Sequence, residues 1–325
     1  MTKSNLDLVK ACDVFPYPPS PAYSAQTSHL VHLRVATDRN TTLGYLLPSI
    51  ASTFASLPAW ELDLDSEPRT LTLLSGSDEP TRSAAMALTT SAMRETGHFA
   101  ILNNAWRDEL YPVYGPDGNE LLRVERAASQ LFGVVTYGVH MTAYKRDEDG
   151  ALRVWVPRRA KTKQTFPGWL DNSVAGGLAA GEQPMAALVR ECMEEASLSA
   201  DVASKAKAVG AVTYFYVSGE GSGGEEGLLQ PECQLVYDLD LTGMDVELKP
   251  NDEEVEGFQL MGMEEVWPAL KGGSFKPNCA LVLLDFLIRH GEITAESEPN
   301  FLEVVARLHR RLEFPLARFP TSSHA

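Results

Sequence analysis

Four glutamates and an arginine crowd into fourteen positions of this chain: Glu182, Arg190, Glu191, Glu194 and Glu195. Gly176 and Gly177 precede them. Projected on a helix at about 100° per residue, Glu191, Glu194 and Glu195 fall on one side, spaced i, i+3 and i+4. Met185, Val189, Cys192 and Ala196 fall on the other and make an apolar stripe for a core. Ala187 shares the glutamates' side and, being small, leaves room beside them. Arg190 flanks the cluster.

A face of this kind breaks two local rules. Like charges at i, i+4 cost roughly 0.2–0.5 kcal/mol, and carboxylates late in a helix oppose its dipole. A purely structural face would interleave lysines, and a generic Glu-Glu pair reads as a solvated acidic face. Three carboxylates together, beside an arginine and after a glycine-rich approach, are the sort of local conflict that function imposes. Hard divalent cations want several oxygen ligands, and carboxylates supply them. Such a cation can neutralise a diphosphate and ready a water for attack near neutral pH.

Other candidates carry weaker signals. Arg158, Arg159, Lys161 and Lys163 form a basic run that either receives phosphate charge or is a solvated loop. Glu253, Glu254 and Glu256 precede or open a strand after the acidic segment. Glu182 either helps hold water and metal or caps the helix ahead of Pro184, a residue suited to a first turn. Five glycines between Gly219 and Gly227 read as a loop, without the strand-to-helix setting of a phosphate cradle. His140 lies on an apparent strand and reads as structural. Trp106, Trp155, Phe166 and Trp169 are aromatic groups able to stack on a ring, with core packing as the plainer reading.

The elements that must position these groups follow from pattern. Glu182 to Ala196 reads as a helix. Before it, Val134 to Tyr144 and Leu152 to Val156 read as strands joined by a turn at Asp147-Glu148-Asp149-Gly150, and Gly176-Gly177 fall in a loop-rich passage. After it come strands at Ala208–Val217, Gln234–Leu239 and Val255–Leu260, then helices at Met263–Leu270, Asn278–His290 and Pro299–Leu312. The first part is a smaller α/β unit with no chemical motif. It has strands near Leu30–Val35, Leu71–Leu74 and Trp106–Tyr114, and helices at Ala51–Leu57, Glu79–Thr96 and Leu121–Leu131. The expected division is residues 1–130 and 131–325, with the first unit as one wall of the pocket.

The 325 residues carry a formal net charge of -16, which argues against non-specific nucleic-acid binding. It also means that an anionic substrate needs a basic patch or metal ions to overcome repulsion. Cys12, Cys192, Cys233 and Cys279 are scattered, with no zinc spacing, as in a reduced intracellular chain. No run approaches the roughly 18 apolar residues of a membrane span, and the first dozen residues do not read as a signal peptide. A cytoplasmic location, a small-molecule substrate and neither nucleic-acid nor membrane partners are expected. Oligomeric state is not legible.

From Gly176 to Leu198 the sequence resembles a Nudix box, G-x5-E-x7-R-E-U-x-E-E-x-G-U with U a bulky aliphatic residue. Gly176, Glu182, Arg190-Glu191, Glu194-Glu195 and Leu198 fall in place. Cys192 stands at an aliphatic position, and Ser197 replaces the second glycine, which predicts a slightly different helix exit. The resemblance implies an α/β (α+β) Nudix fold, a mixed sheet between helices, and a hydrolase of phosphoanhydride bonds using Mg²⁺ or Mn²⁺. It implies metal binding by Glu191, Glu194 and Glu195, catalytic roles for Arg190, Glu194 and Glu182, and substrate contacts at Gly176 and Gly177. Arg158, Arg159 and Lys161 are the basic candidates for the same substrate.

Further stretches are similar to fungal and plant Nudix proteins with an extra leading domain, related to a Nudix unit fused to thiamine pyrophosphokinase in some fungi. They are Leu131-Phe132-Gly133 with Tyr137-Gly138-Val139-His140, Pro167–Asp171 with Val174–Gly177, Val255–Met261, and Phe275–Ala280. That likeness implies removal of a phosphate from thiamine diphosphate, above all its oxidised oxo- and oxy- forms, as metabolite repair. Another nucleoside or sugar diphosphate, or ligand binding without turnover, are the alternatives.

Overall fold

The computed structural model describes residues 2–163, 165–219, 225–251 and 253–319. Among them the chain forms, in order, α1 (Asn5–Cys12), α2 (Pro21–Thr27), β1 (Val31–Val35), β2 (Gly44–Leu46), α3 (Pro48–Ala51), β3 (Trp60–Asp63), β4 (Thr70–Leu73), α4 (Glu79–Glu95) and α5 (Ala100–Asn104). Then come β5 (Leu110–Tyr114), β6 (Glu120–Glu125), α6 (Arg126–Phe132), β7 (Thr136–Arg146), β8 (Leu152–Arg159), β9 (Val174–Gly177), α7 (Pro184–Ala196) and α8 (Ala200–Ala203). The last elements are β10 (Lys207–Val217), β11 (Leu229–Asp240), β12 (Val255–Gly262), α9 (Met263–Lys271), α10 (Pro277–Arg289) and α11 (Phe301–Leu308).

A six-stranded mixed sheet carries the second half, in the order β10-β11-β7-β8-β12 with β9 also on β7. β7 runs parallel to β11 and antiparallel to β8 and β9. Helix α7 packs Ala187, Leu188, Cys192 and Ala196 with Val139 and Met141 of β7 in one buried cluster. Leu281, Leu284 and Leu287 of α10 pack in another, with Val154, Val236 and the apolar residues of α1. The sheet therefore lies between helices, as expected. By packing, α1 goes with the second half although it begins the chain.

The first half is built on a four-stranded sheet, β2-β1-β4-β3, and a separate β5–β6 hairpin. Helix α4 has an Asp78 cap whose side chain accepts from the Thr81 N–H, with Pro80 in the first turn. The two halves meet where Gly44 and Gly133 cross. A Cβ on Gly44 would lie 2.4 Å from the Phe132 carbonyl oxygen, and one on Gly133, at φ +58°, 2.0 Å from that of Tyr45. Only glycine permits this backbone contact.

Several expectations are corrected. Leu121–Leu131 is not one helix: its first part is strand β6, paired with β5 across the Pro116–Asn119 turn, and the helix begins at Arg126. Pairing in a hairpin overrides the helix-favouring Leu and Glu residues there. Ala51–Leu57 holds only the end of α3 and a 3₁₀ turn. Gly176 and Gly177 end a strand, not a loop, in register with Val139 and Gly138. Strand β3 was not anticipated. Most of the Gly219–Gly227 run lies outside the described residues. Among the described residues no helix is long and apolar enough to cross a membrane, and all four cysteines are free and buried.

Candidate active site

Helix α7 starts at Pro184 and ends in a left-handed residue, Ser197, at φ +54°. The Leu198 N–H donates to the Cys192 carbonyl at 3.1 Å, closing the end. Serine thus takes the conformation a glycine would, and the altered helix exit does not occur. The buried side of α7 is also shifted from the projection. Ala187 and Leu188 are fully buried, while Met185 and Val189 are only partly covered. Ala187 therefore belongs to the core and not to open space beside the carboxylates.

The remaining face holds the glutamates. Glu195 Oε2 accepts from the Ala175 N–H on β9 at 3.2 Å. Glu191 lies under Gly176, where a Cβ would come within 2.1 Å of its carboxyl. That contact requires glycine at 176. Gly177 is required from the other side: a Cβ there would stand 2.1 Å from the Tyr111 hydroxyl, brought in by β5.

Arg190 braces three carboxylates. Its Nε and Nη2 donate to both oxygens of Glu182 at 3.0 and 3.1 Å. Its Nη1 donates to Glu191 Oε1 at 2.8 Å and Glu194 Oε2 at 3.1 Å. Glu182 is thus locked to Arg190 and does not cap the helix; Gln183 holds the cap position, without a side-chain bond. Burial pushes the Glu191 carboxyl above its usual range against the pull of Arg190, and Glu194 adds to the rise. Glu195 is pushed up further, by burial first and then by Glu191 and Asp171.

These side chains line an open cleft of about 650 Å³ with Glu109, Glu254, Arg126 and Asn251. Six glutamates there face two arginines. Of the three candidates after the helix, Glu254 alone reaches the cleft, where it pairs with Lys163 at 2.5 Å. Glu253 and Glu256 are exposed and do not line it.

The basic run does not serve as expected. Arg159 is held by Asp171 at 2.6 Å and by the Thr165 carbonyl. Arg158 donates to the Gly168 carbonyl at 2.8 Å, and Lys161 is exposed. None of the three lines the cleft or the adjoining cavity, because strand β8 spends its arginines on fastening the 160–171 loop. Positive charge reaches the site from Arg126 and Lys276 instead.

The adjoining cavity, about 280 Å³, opens between Gly176-Gly177, β7, β10, β11 and α6. Tyr111, Phe166, Tyr214 and Tyr216 give it aromatic walls, and Glu232, Gln234 and Lys276 give it polar groups. Arg126 lines both spaces and is paired with Glu109 at 2.7 Å. His140 also lines it, buried, with Nδ1 2.7 Å from Asn172 Oδ1; burial lowers it to about 4, against the Asn172 hydrogen bond, so its ring is neutral. Of the four aromatic candidates only Phe166 reaches the cavity. Trp155 is in the core, and Trp106 lies under the Arg94 guanidinium.

Sequence reading missed Glu109, Tyr111, Arg126, Tyr214, Glu232, Gln234 and Lys276. One signal was present: Glu232 and Gln234 are polar at i, i+2 within an apolar strand, hence on one buried face. Tyr111 and Arg126 gave none, because they come from the other half of the chain. That half also supports the approach to α7. The Ala180 N–H donates to the Leu110 carbonyl at 2.8 Å, and the Gly181 N–H to Glu120 Oε1 at 3.1 Å.

Residues 136–280 match the NUDIX domain, and residues 27–136 match a domain of unknown function (DUF4743). The chain is 47% identical over 216 residues to an uncharacterized protein of Saccharomyces cerevisiae, covering 65% of this chain and 63% of that one. It is 41% identical over 208 residues to Nudix hydrolase 20, chloroplastic, of Arabidopsis thaliana, covering 63% and 53%. The chain thus spans between about half and two thirds of the length of these relatives. Among solved structures, an Ap4A hydrolase of C. elegans is similar at 13% identity and a TM-score of 0.35, over 49% of this chain and 99% of that one.

Proposed function

With a NUDIX domain over residues 136–280 and its acidic helix intact, we propose that this protein is a divalent-cation-dependent diphosphatase, and that its substrate is thiamine diphosphate, above all the oxidised oxo- and oxy- forms. The observation that carries the reading is the braced face of α7. Arg190 holds one oxygen each of Glu191 and Glu194, and the Ala175 N–H holds one of Glu195. Among the described residues, the second oxygen of each accepts no hydrogen bond.

A cation fits this face on its chemistry. Two carboxylates raised by burial and by negative neighbours want a positive charge beside them. Among the described residues no three acidic, His or Cys groups are gathered into a ready cage. Mg²⁺ does not need one, since it takes one or two carboxylates and fills the rest with water and substrate oxygens. Glu191, Glu194 and Glu195 would hold it. When bound, it would neutralise the diphosphate and lower the pKa of the attacking water.

The chain's own groups then divide the work. Arg190 keeps the three glutamates from repelling one another out of position, with Glu182 anchoring its far side. Arg126, shared by cleft and cavity, faces the negative charge of a diphosphate lying between them. Gly176 and Gly177 let Glu191 and Tyr111 pack against the strand end beside which the diphosphate passes. Tyr111, Phe166 and Tyr216 enclose the organic part and exclude water. The cleft is too acidic to admit an anion alone, so cation and substrate enter as partners.

The test is incubation with Mg²⁺ and a panel of thiamine diphosphate, its oxidised forms, nucleoside diphosphates and sugar nucleotides, following the phosphate released. Turnover is expected to require metal and to fall by several orders of magnitude in Glu195→Gln. Full activity in that variant or in excess chelator overturns the metal assignment. Turnover of sugar nucleotides with none of any thiamine compound overturns the substrate assignment alone.

A further inference from the structure

Lys276 is the cap residue ahead of α10, and its N–H donates to the Leu170 carbonyl at 2.9 Å. The root of the side chain is thus fixed between the helix and the 160–171 loop. The side chain is partly covered, and it lines the cavity and not the acidic cleft. Among the described residues its ammonium makes no hydrogen bond and no ion pair. Its charge is nonetheless felt around it. Burial raises the Glu232 carboxyl and the Cys12 thiol and lowers His140; Lys276 opposes the first two shifts and adds to the third. All three residues line the cavity with it. A charge partly withdrawn from water without a partner costs free energy, which an incoming acceptor relieves.

Glu232 is the opposite charge in the same cavity. Its Oε2 accepts from the Tyr214 hydroxyl at 2.6 Å and from Gln234 Nε2 at 2.7 Å. Its Oε1 accepts nothing among the described residues and is not sealed from solvent, so it is the oxygen open to the cavity. The two donors on Oε2 fix the carboxyl in place. Lys276 and Glu232 therefore share one space, each with an unmet end, and do not pair with each other. A molecule with its diphosphate at Arg126 has its organic part in that space.

We propose that Lys276 and Glu232 together read a ring carbonyl with an N–H near it: Lys276 donates to the carbonyl oxygen, and Glu232 Oε1 accepts the N–H. The proposal rests on the diphosphatase reading for the placement of the phosphates, and it names what sets specificity at that site. A lactam suits an ammonium and a carboxylate in one cavity, because its oxygen only accepts and its N–H only donates. An amidine, with an amine in place of that oxygen, turns a second donor toward Lys276. Oxythiamine, the oxy- form, has the lactam where thiamine has the amidine. The oxo- form keeps the pyrimidine amine and carries its carbonyl on the thiazole ring. Both carbonyl positions flank the single carbon that joins the two rings, so in each form an oxygen goes to Lys276 and an N–H to Glu232. Thiamine itself has no oxygen at either position.

The test titrates free oxythiamine and free thiamine, which carry no phosphate, by calorimetry, so it does not depend on turnover. Wild type is expected to bind oxythiamine roughly tenfold or more tightly, the yield of one hydrogen bond to a charged group. Lys276→Met should erase that preference by weakening oxythiamine, and Lys276→Arg, which keeps a charged donor, should retain part of it. Binding of both compounds with equal affinity in wild type overturns the proposal, as does a preference that Lys276→Met leaves intact. Glu232→Gln tests the other half. Tyr214 and Gln234 claim its amide oxygen, so its NH₂ turns to the cavity and meets the ligand's N–H donor to donor; oxythiamine should weaken about tenfold. Unchanged oxythiamine affinity in Glu232→Gln overturns the proposal, and this variant decides if Lys276→Met does not fold. Turnover then separates ring from phosphate. Lys276→Met should lower kcat/KM most for oxythiamine diphosphate, and an equal loss on methyl diphosphate, which has no ring, makes Lys276 a phosphate ligand and overturns the proposal. If wild type hydrolyses no diphosphate, the diphosphatase reading fails while the binding preference still decides the pair. If wild type hydrolyses methyl diphosphate but neither binds nor hydrolyses any thiamine compound, the substrate reading fails, and UDP and CDP, which differ by the same carbonyl and amine, decide. A preference for UDP that Lys276→Met erases upholds the pair, and no such preference overturns it.

Discussion

Arg190 is the residue on which the acidic face depends. A guanidinium offers five donors in a rigid fork, and here four hydrogen bonds reach three carboxylates. Removing it leaves Glu191 and Glu194 repelling each other and Glu182 with nothing to hold. Arg190→Ala is therefore expected to weaken divalent-cation affinity by roughly 10–100-fold, the usual cost of losing a group that orients ligands. Titration with Mn²⁺, followed by water-proton relaxation, measures this directly. Unchanged affinity would show that Arg190 acts on substrate and not on the carboxylates. Arg190→Lys should recover little, since a point charge cannot span Glu182 bidentately and still reach Glu194.

At the scale of elements, α7 and β9 make one unit. The helix supplies carboxylates, the strand supplies backbone, and glycine at 176 lets them touch. The end of α7 carries strain that a glycine would avoid. Ser197 holds φ +54°, a region that costs an L-residue about 1–2 kcal/mol, offset in part by the greater freedom glycine loses on folding. Ser197→Gly should thus stabilise the protein by about 0.5–1 kcal/mol, seen as a higher urea midpoint at unchanged slope. A lower midpoint would mean that the serine hydroxyl contributes something the backbone does not reveal. β6 teaches the opposite lesson about local pattern. Leu121, Leu122 and Arg123 favour a helix, yet the hairpin with β5 takes them, and through it Tyr111 reaches Gly177.

The whole molecule is tied together across its length. Asp13 is 1% exposed and Arg310 2% exposed, and they pair at 3.1 Å across 297 residues of sequence. Arg310 also donates to the carbonyls of Phe15 and Pro16 and to Glu313. Phe15 stacks on Phe215 of β10 with ring centroids 4.1 Å apart. The segment after α1 therefore acts as a strap on the second half. Asp13→Ala leaves a buried cation short of a partner, and breaking such a pair costs about 3–5 kcal/mol. A loss near that size in chemical denaturation is expected, with the remaining Glu313 contact setting the lower end. A loss under about 1 kcal/mol, the range of exposed ion pairs, would show that Asp13 is dispensable to the strap.

What the sequence determined by itself was the acidic face and the class of chemistry it supports. Charge at i, i+3 and i+4 on a helix is local geometry, and local geometry is written in spacing. Gly176 and Gly177 were likewise visible as types, though not as the end of a strand. Only the tertiary structure decided which charges reach the site. Arg158 and Arg159 look like phosphate ligands until the loop they fasten is seen, whereas Arg126 looks like nothing until α6 and β5 bring it, with Tyr111, to the strand end. Glu254 was separated from Glu253 and Glu256 in the same way, by which of three adjacent carboxylates the turn before β12 sets in the cleft. The physical reason is contact between residues distant in sequence. The partner that claims or frees a side chain is chosen by packing, and packing across a hundred residues leaves no spacing to read.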